Sequence, residues 1–507
     1  MHQLRPYQTK VIDDIRESFT KRKKVLLVAP TGSGKTVIAA DIIRKVIENG
    51  KKCVFVAHRR ELIMQCSNKL FNFGVRHGVI MADKAATPDA DVQVVSIQTY
   101  TARKDNFDFD RPDADLIIFD EAHRSASFTF QKMIEEYPEA HVIGLTATPC
   151  RADGKGLGDI YQGLIECSNI KDLTEEGYLV PSRIYAPTMP DLKGLKVLAG
   201  DYEKGRLDKR MNTPKLIGDI VNHWIMYGQD RPTVAFATSI NHSKKIAKMF
   251  NDSGIPAGHI DGKMPEIERE RQLAMIKDGR IKVLANCQVL TEGWDEPKIS
   301  CVILARPTKS YGLYLQMVGR SLRPDDGKKD TLIIDHSGAV YEHGFPDEPP
   351  QWTLDVTTNV SKERKEPQPI EKQPFTCVQC DFVYKPTADS PECPNCGSKP
   401  TKKDTELLIA QGRLVELKKK KNEPTVADKE TFYAGLLFYA RQRGYLDGWA
   451  SHLFKNKFKH FPNFKKNILP VRPTKDVEGY IKHHNIKRHK SKIKIQNMIG
   501  GNNERST

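Results

Sequence analysis

No stretch of this 507-residue chain approaches the roughly 18 consecutive apolar residues of a membrane-spanning helix, so no membrane partner is expected. The N-terminus, Met1-His2-Gln3-Leu4-Arg5-Pro6, lacks an apolar signal region, which argues against export and leaves the cytoplasm as the expected compartment. No internal repeat is evident. Disulfides are also not expected in that compartment, and six of the ten cysteines are scattered. What remains is a globular composition, 39% apolar with a mean hydropathy of −0.53. The chain is too long for one core, and its length suggests about three domains. Its net charge of +16 is uneven: Thr401 to Thr507 hold 24 Lys+Arg against 10 Asp+Glu, or +14 of the total. Charge gathered in this way points to an anionic polymer, because each neutralised phosphate releases counterions; a solubilising tail is the plainer alternative.

The chain is organised around Val25 to Thr36. An apolar run, Val25 to Val28, reads as a buried strand, and Lys35 to Ile47 reads as an amphipathic helix. Between them lie Pro30, Thr31, Gly32, Ser33 and Gly34, followed by Lys35 and Thr36. Strand, small-residue loop and Gly-Lys-Thr make a phosphate-binding loop. Its backbone N–H groups face the phosphates of a nucleotide, Lys35 reaches the β/γ oxygens and Thr36 ligates Mg2+. Ala29 stands where such loops usually carry their first glycine. Gln8 lies 27 residues before Lys35, where many helicase-like ATPases read adenine with a side-chain amide.

Apolar strands then alternate with helical patterns, at Cys53 to Ala57, Val92 to Ile97, Asp115 to Phe119 and Val142 to Leu145. A second block has Thr233 to Ala237, Lys282 to Ala285, Cys301 to Leu304 and Thr331 to Ile334, and no phosphate loop of its own. This alternation implies parallel sheets with ligands at the carboxyl ends of the strands. The crossover from Arg183 to Met211 is hard to read.

Asp120-Glu121-Ala122-His123, a DEAH box, follows one such strand. Adjacent carboxylates there need a cation, so Asp120 is expected to hold the magnesium shell and Glu121 to orient or deprotonate the attacking water. In Gln316-x-x-Gly319-Arg320-x-x-Arg323 the two arginines share a helix face, and their guanidinium forks suit phosphoryl oxygens. With no loop in the second block, their natural use is to complete the first block's site across a cleft. Gln316 counts with this catalytic set.

Prolines among charges from Gly344 to Pro374 read as an extended linker. Cys377, Cys380, Cys393 and Cys396, spaced C-x2-C-x12-C-x2-C, read as a structural Zn2+ site with all four positions closed. This module is a nucleic-acid or a protein contact, and the sequence does not choose. In the tail, Tyr433 to Lys459 interleave rings and cations; the rings read as a small core and the charges as nucleic-acid contacts. Glu416-Leu417-Lys418 resembles the end of a nuclease motif, without a visible upstream partner.

LRPYQ, APTGSGKT, VAHRREL, SIQT, DEAH, LTATP, VLTEGWD and QMVGRSLR occur in the order of superfamily 2 helicases, which residues 1 to 340 resemble. The resemblance implies two tandem RecA-like domains with ATP between them and nucleic acid across their tops. It implies that Gln8 reads adenine, that His123, Thr146 and Thr148 couple the ATP site to the strand, and that Gly293 and Asp295 lie near the γ-phosphate and ribose. Arg59, Gln98 and Thr99 would contact the nucleic-acid backbone. With the four-cysteine module and FYAGLLFYARQRGYLDGWASHLFKNKF, the chain looks like the RadD-like helicases of bacteria and their phage relatives, which suggests DNA repair, recombination or replication.

The expected organisation is α/β: RecA-like domains at 1–182 and 183–343, a Pro-rich linker at 344–374, a zinc module at 375–400 and a basic, mainly helical region at 401–507. The expected activity is an ATP-dependent DNA helicase or translocase, with a protein partner docking on the zinc module or tail. Rivals are an RNA helicase, a duplex-remodelling motor that leaves strands paired, and an ATP-clamped scaffold without turnover.

Overall fold

The computed structural model of the protein describes residues 4–357, 374–399 and 426–484, except 83–86, 88, 107–108, 152–153, 188–189, 193, 199, 229, 349–350, 388–389, 459, 465–466, 475 and 483. Every apolar run read above as a strand lies in one of two parallel sheets. The first contains β1 (Lys24–Val28), β2 (Cys53–Ala57), β3 (Gly78–Ile80), β4 (Val92–Ser96), β5 (Leu116–Asp120), β6 (His141–Thr146) and β7 (Gly163–Glu166), in the order β3-β4-β2-β5-β6-β1-β7. β2, β4 and β5 are buried at every residue, as helices on both faces require, and hence read as unbroken apolar runs.

The second sheet opens with β8 (Ser182–Tyr185). The crossover that follows forms a hairpin of β9 (Val197–Leu198) and β10 (Asp201–Tyr202), then a helix, Lys204–Met211. β11 (Thr233–Phe236), β12 (Ala257–Asp261), β13 (Val283–Cys287), β14 (Cys301–Leu304) and β15 (Thr331–Asp335) complete it, in the order β12-β13-β11-β14-β15-β8. One continuous core joins the facing sides of the two sheets, with Leu27, Ile38 and Phe55 from the first and Phe236, Leu304, Tyr314 and Met317 from the second. The outer faces have separate cores around Phe119 and Tyr100, and around Trp224 and Phe250.

The Pro-rich segment does more than connect. Its described part leaves the second sheet and lies back on the first. Trp352 packs 5.9 Å from Tyr311, and the N–H groups of Gly156 and Gly158 donate to the carbonyls of Asp355 (3.2 Å) and Leu354 (2.8 Å). The chain then re-enters at a small hairpin, β16 (Phe375–Thr376) and β17 (Val383–Tyr384), beside β8. In the basic region, helices Val426–Gln442 and Asp447–Phe458 enclose Phe432, Leu436, Leu437, Leu453 and Phe454. Tyr433, Tyr439, Trp449 and Phe458 pack against them, so those rings are core. Glu416-Leu417-Lys418 and the basic stretches 401–425 and 485–507 lie outside the described residues. Among the described residues no helix is long and apolar enough to cross a membrane.

Candidate ATP site and metal centre

The loop after β1 shows why alanine replaces the first glycine. Ala29 continues the strand, its N–H donating to the Thr146 carbonyl at 2.8 Å, and its φ is not left-handed. The turns fall at Gly32 (φ +93°) and Gly34 (φ +85°), which glycine adopts without steric cost. Gly34 caps the helix Lys35–Glu48, whose first N–H groups lack intrahelical partners and open toward the loop. Ser33 Oγ donates back to the Pro30 carbonyl at 2.8 Å, and Thr31 is buried at the loop's crest. Thr36, in the helix's first turn, is half-buried.

Lys35 Nζ donates to the carbonyls of Ala29 (2.9 Å) and Pro30 (3.4 Å). Burial pulls its pKa down; Glu121 and Asp120 draw it up, and Arg320 and Arg323 push it down again. Asp120 ends β5 and accepts the Glu121 N–H at 2.9 Å. Burial, then the neighbouring Glu121 charge, raise its carboxyl to about 7. Glu121 goes the other way: burial opposes its ionisation, but His123 and Lys35 outweigh burial and hold it below the usual range. Its backbone is left-handed (φ +51°, ψ +53°), which costs a residue with a side chain of order 1–3 kcal/mol and persists only where the surroundings enforce it. Glu121 Oε2 is buried without a hydrogen bond and faces His123 Nδ1 at 3.4 Å. His123 Nδ1 also lies 3.5 Å from Thr146 Oγ1, which donates to the Thr148 carbonyl at 2.9 Å. Residues expected to couple the site are therefore in contact.

The second sheet approaches the first at three glycines, one of them over this loop. A β-carbon built on Gly319 would stand 2.5 Å from Thr31 Cβ, and one on Gly312 would stand 2.7 Å from Thr148 Oγ1. A β-carbon on Gly293, which is left-handed at φ +76°, would stand 3.2 Å from Glu61 Cβ. Gln316 and Arg320 are buried; Arg320 donates to the carbonyls of Gln316 (3.3 Å) and Trp294. Arg323 lies over Gly32 and pairs with Asp295. Burial lowers its pKa to about 10. Three cations, Arg320 buried and Lys35 and Arg323 half-buried, thus meet two buried carboxylates, one of them reluctant to ionise, at the mouth of a glycine-shaped loop. A polyphosphate suits the cations and a divalent ion suits the carboxylates, so the residues present fit ATP with magnesium.

Four further residues expected to meet adenine or nucleic acid have these surroundings. Gln8 is buried, its Oε1 accepting from the Arg5 N–H (3.0 Å) and its Nε2 donating to the Ser33 carbonyl (3.0 Å), so it braces the loop directly. Arg59 is not on a free surface: it pairs with Glu292 at 3.0 Å and donates to the Val289 carbonyl at 3.1 Å. Gln98 is exposed and donates to the His58 carbonyl at 2.9 Å, whereas Thr99 is buried. Glu292 is the residue that sequence reasoning passed over. It collects His58 (2.9 Å), Arg59, Arg124 (3.1 Å) and His123 (3.8 Å), all from the first sheet's side. Its only signal was an acid between Thr291 and Gly293.

The four cysteines converge, with all four Sγ atoms within 4.8 Å of one another. Cys377–Cys396 and Cys380–Cys393 are 3.6 and 3.7 Å apart, against ~3.8 Å for the edge of a tetrahedron with Zn–S bonds of ~2.3 Å. Each second cysteine is followed by a left-handed residue, Asp381 (φ +58°) and Gly397 (φ +72°), whose N–H donates to the first cysteine's carbonyl at 2.9 and 2.8 Å. Two matching knuckles fit zinc. The module is seated on the second sheet: Phe382 packs edge-on to Tyr185, Asp381 accepts from Tyr227 Oη at 2.8 Å, and Arg183 donates to Asn395 at 2.8 Å.

Residues 1–151 match the family model "Type III restriction enzyme, res subunit", and residues 215–325 match "Helicase conserved C-terminal domain". A 51.5 kDa protein of a Lactococcus phage is 34% identical over 327 residues, 64% of this chain and 68% of that one. A Saccharomyces cerevisiae relative, named as the ATP-dependent helicase IRC3, is 30% identical over 357 residues; these are 66% of this chain but only 52% of the relative. A solved fragment described as an HsdR subunit of a type I restriction enzyme from Vibrio vulnificus shares the fold, with a TM-score of 0.55, 22% identity, and 68% of this chain and 67% of that one covered. With a phosphate loop and DEAH turn on one sheet and paired arginines delivered from a second, the chain belongs to the superfamily 2 helicases, ATP-hydrolysing motors of nucleic acid.

Proposed function

We propose that the protein is a DNA helicase or translocase, and that Lys35, Asp120, Glu121, Arg320 and Arg323 carry its hydrolysis. The observation that supports this reading best is the placement of Arg320 and Arg323, from the second sheet, beside the loop and carboxylates of the first. Pro30 to Thr36 would hold ATP, and Thr36 and Asp120 its magnesium; the terminal phosphoanhydride would supply the free energy. Glu121 accepts the proton of the attacking water, and its low pKa keeps it ionised for that role. The arginines answer the charge that develops at the loop. Because they arrive only with the second sheet, hydrolysis is tied to closure, and opening and closing move the two sheets along a strand. Asp295 keeps Arg323 over the loop, and Gly293 lets the second sheet approach.

Gln98 and Thr99 take the nucleic-acid backbone at the turn after β4, and Arg59 joins them when Glu292 releases it. DNA is favoured over RNA because the matched family model and the solved relative both take their names from restriction enzymes, and restriction acts on DNA. The basic C-terminal region would hold the polymer nearby. The zinc module, fixed to the second sheet by Tyr185, Tyr227 and Arg183, would brace that sheet and offer a surface to a protein partner. A cytoplasmic setting and a place in DNA repair, recombination or replication rest on the sequence reading alone.

ATP hydrolysis by the purified protein, measured without polymer and with single-stranded DNA, duplex DNA or RNA at two salt concentrations, tests this. DNA-specific stimulation that weakens with salt is expected. Equal or stronger stimulation by RNA replaces the substrate, and indifference to every polymer overturns the motor.

A further inference from the structure

We infer that Glu292 is a positioning residue through which closure of the second sheet readies Glu121 for proton transfer, acting across His123. The inference rests on the motor reading above. Glu292 follows β13, and its side chain is 4% exposed, a place where a carboxylate needs compensating cations. Those cations belong to two turns of the first sheet: His58 and Arg59 after β2, and His123 and Arg124 after β5. The second turn carries Glu121.

His123 has a carboxylate on each ring nitrogen, Glu121 Oε2 at 3.4 Å from Nδ1 and Glu292 Oε1 at 3.8 Å from Nε2. A proton taken from water by Glu121 thus has an onward acceptor in His123 Nδ1. The imidazolium that forms then faces the Glu292 carboxylate. The proton leaves water, passes to the Glu121 oxygen and then to the imidazole nitrogen, and no further reactant is needed. Glu292 also grips Arg124, three residues beyond Glu121, and so helps to hold the left-handed turn that aims the base. The contacts of Glu292 with His123 and Arg124 cross the cleft and are lost when the sheets part, whereas Glu121 and His123 stay together on the first sheet. The base is then without its second carboxylate and its clamp, and hydrolysis is confined to the closed arrangement.

The test compares wild type, Glu292→Gln, Glu292→Asp, His123→Ala and the double variant His123→Ala/Glu292→Gln. It measures ATP hydrolysis with and without single-stranded DNA, and binding of a fluorescent ATP analogue. Glu292→Gln should lower kcat by about tenfold or more while analogue affinity stays within about threefold. Glu292→Asp should recover part of the loss, and the double variant should be no worse than the poorer single variant. A residue that merely held the sheets together would weaken nucleotide affinity in step with kcat. That result, additive losses, or an unchanged kcat in Glu292→Gln each overturn the inference. Wild-type hydrolysis that ignores every polymer overturns the motor reading instead, and the relay is then judged on the basal rate by the same criteria.

Discussion

Substituting alanine for Gly319 separates the fold of the second sheet from its closure on the first. Gly319 is the last residue of the helix Tyr311–Gly319, and its φ is not left-handed. Within its own domain, alanine is therefore tolerated, and it gains up to about 1 kcal/mol of helix propensity. The obstacle lies across the cleft. The added carbon would stand 2.5 Å from Thr31 Cβ, 2.9 Å from Cγ2 and 3.0 Å from Oγ1. Carbon atoms in contact lie about 3.5–4.0 Å apart, so helix and loop must separate by ~1 Å or more. Turning the threonine does not relieve this, because Cβ moves only with the loop backbone. Arg320 follows directly on Gly319 and Arg323 lies four residues on, so both shift with it. A misplacement of ~1 Å in a catalytic group costs about a hundredfold in rate. Steady-state hydrolysis with DNA should therefore show kcat reduced by one to two orders of magnitude, roughly. The melting temperature of the nucleotide-free protein should be unchanged or higher. A kcat within about threefold of wild type would show that hydrolysis does not use this closed approach, and the argument for Arg320 and Arg323 would fall with it.

Other consequences follow from the same geometry. Glu121→Gln should abolish turnover by about a hundredfold or more while retaining ATP-analogue binding, and turnover within tenfold of wild type would remove Glu121 as the base. Asp120 gives a pH signature. Its folded pKa, about 7, lies above the ordinary 3.8, so the folded state holds the proton more tightly than the unfolded one. Its contribution is full below about pH 4 and drains away as pH rises through 7. Without nucleotide, the melting temperature of Asp120→Asn should thus rise progressively relative to wild type between about pH 4 and 7, and a difference that does not change with pH would refute this. Zinc should be present at one ion per chain by metal analysis. Its removal by a chelator should expose Tyr227 and Phe382 and quicken proteolysis near β8; a chelated protein with the wild-type digestion pattern would show that the module is not a brace.

What the sequence disclosed follows from burial. β1, β2, β4, β5, β6, β11, β13, β14 and β15 are interior strands, covered on both faces, and each shows as an apolar run. Of the strands in these two sheets, the four that escaped notice, β3, β7, β8 and β12, are the edges. An edge strand has neighbours on one side only and admits polar residues: Ser182 and Arg183 in β8, His259 and Asp261 in β12, Glu166 in β7. Their side chains weaken the periodicity without weakening the ladder. Site residues divide in the same way. Lys35, Thr36, Asp120 and the cysteines act through local spacing, which a linear string preserves. Glu292 acts through four partners that lie between 168 and 234 positions away, and nothing in VLTEGWD marks it above its neighbours. The pairing of Arg59 with Glu292 was hidden for the same reason, since a basic residue after a strand looks alike whether it meets phosphate or a carboxylate from another sheet.

That exchange of partners bears on mechanism. In the closed arrangement Glu292 occupies Arg59, the residue expected to meet the nucleic-acid backbone, and also His123 and Arg124 beside the base. A phosphate of the strand and the Glu292 carboxylate are both anions suited to the same guanidinium. Binding of one must weaken the hold of the other by the same factor, whichever arrives first. Nucleic acid that draws Arg59 away concentrates Glu292 on the turn of Glu121. The polymer would then raise kcat more than it lowers the KM for ATP. Arg59→Ala should accordingly raise polymer-free hydrolysis and shrink its stimulation by DNA, a pairing that loss of a simple phosphate contact would not produce. If Arg59→Ala lowers DNA affinity and leaves the basal rate where it was, competition for Arg59 plays no part in coupling.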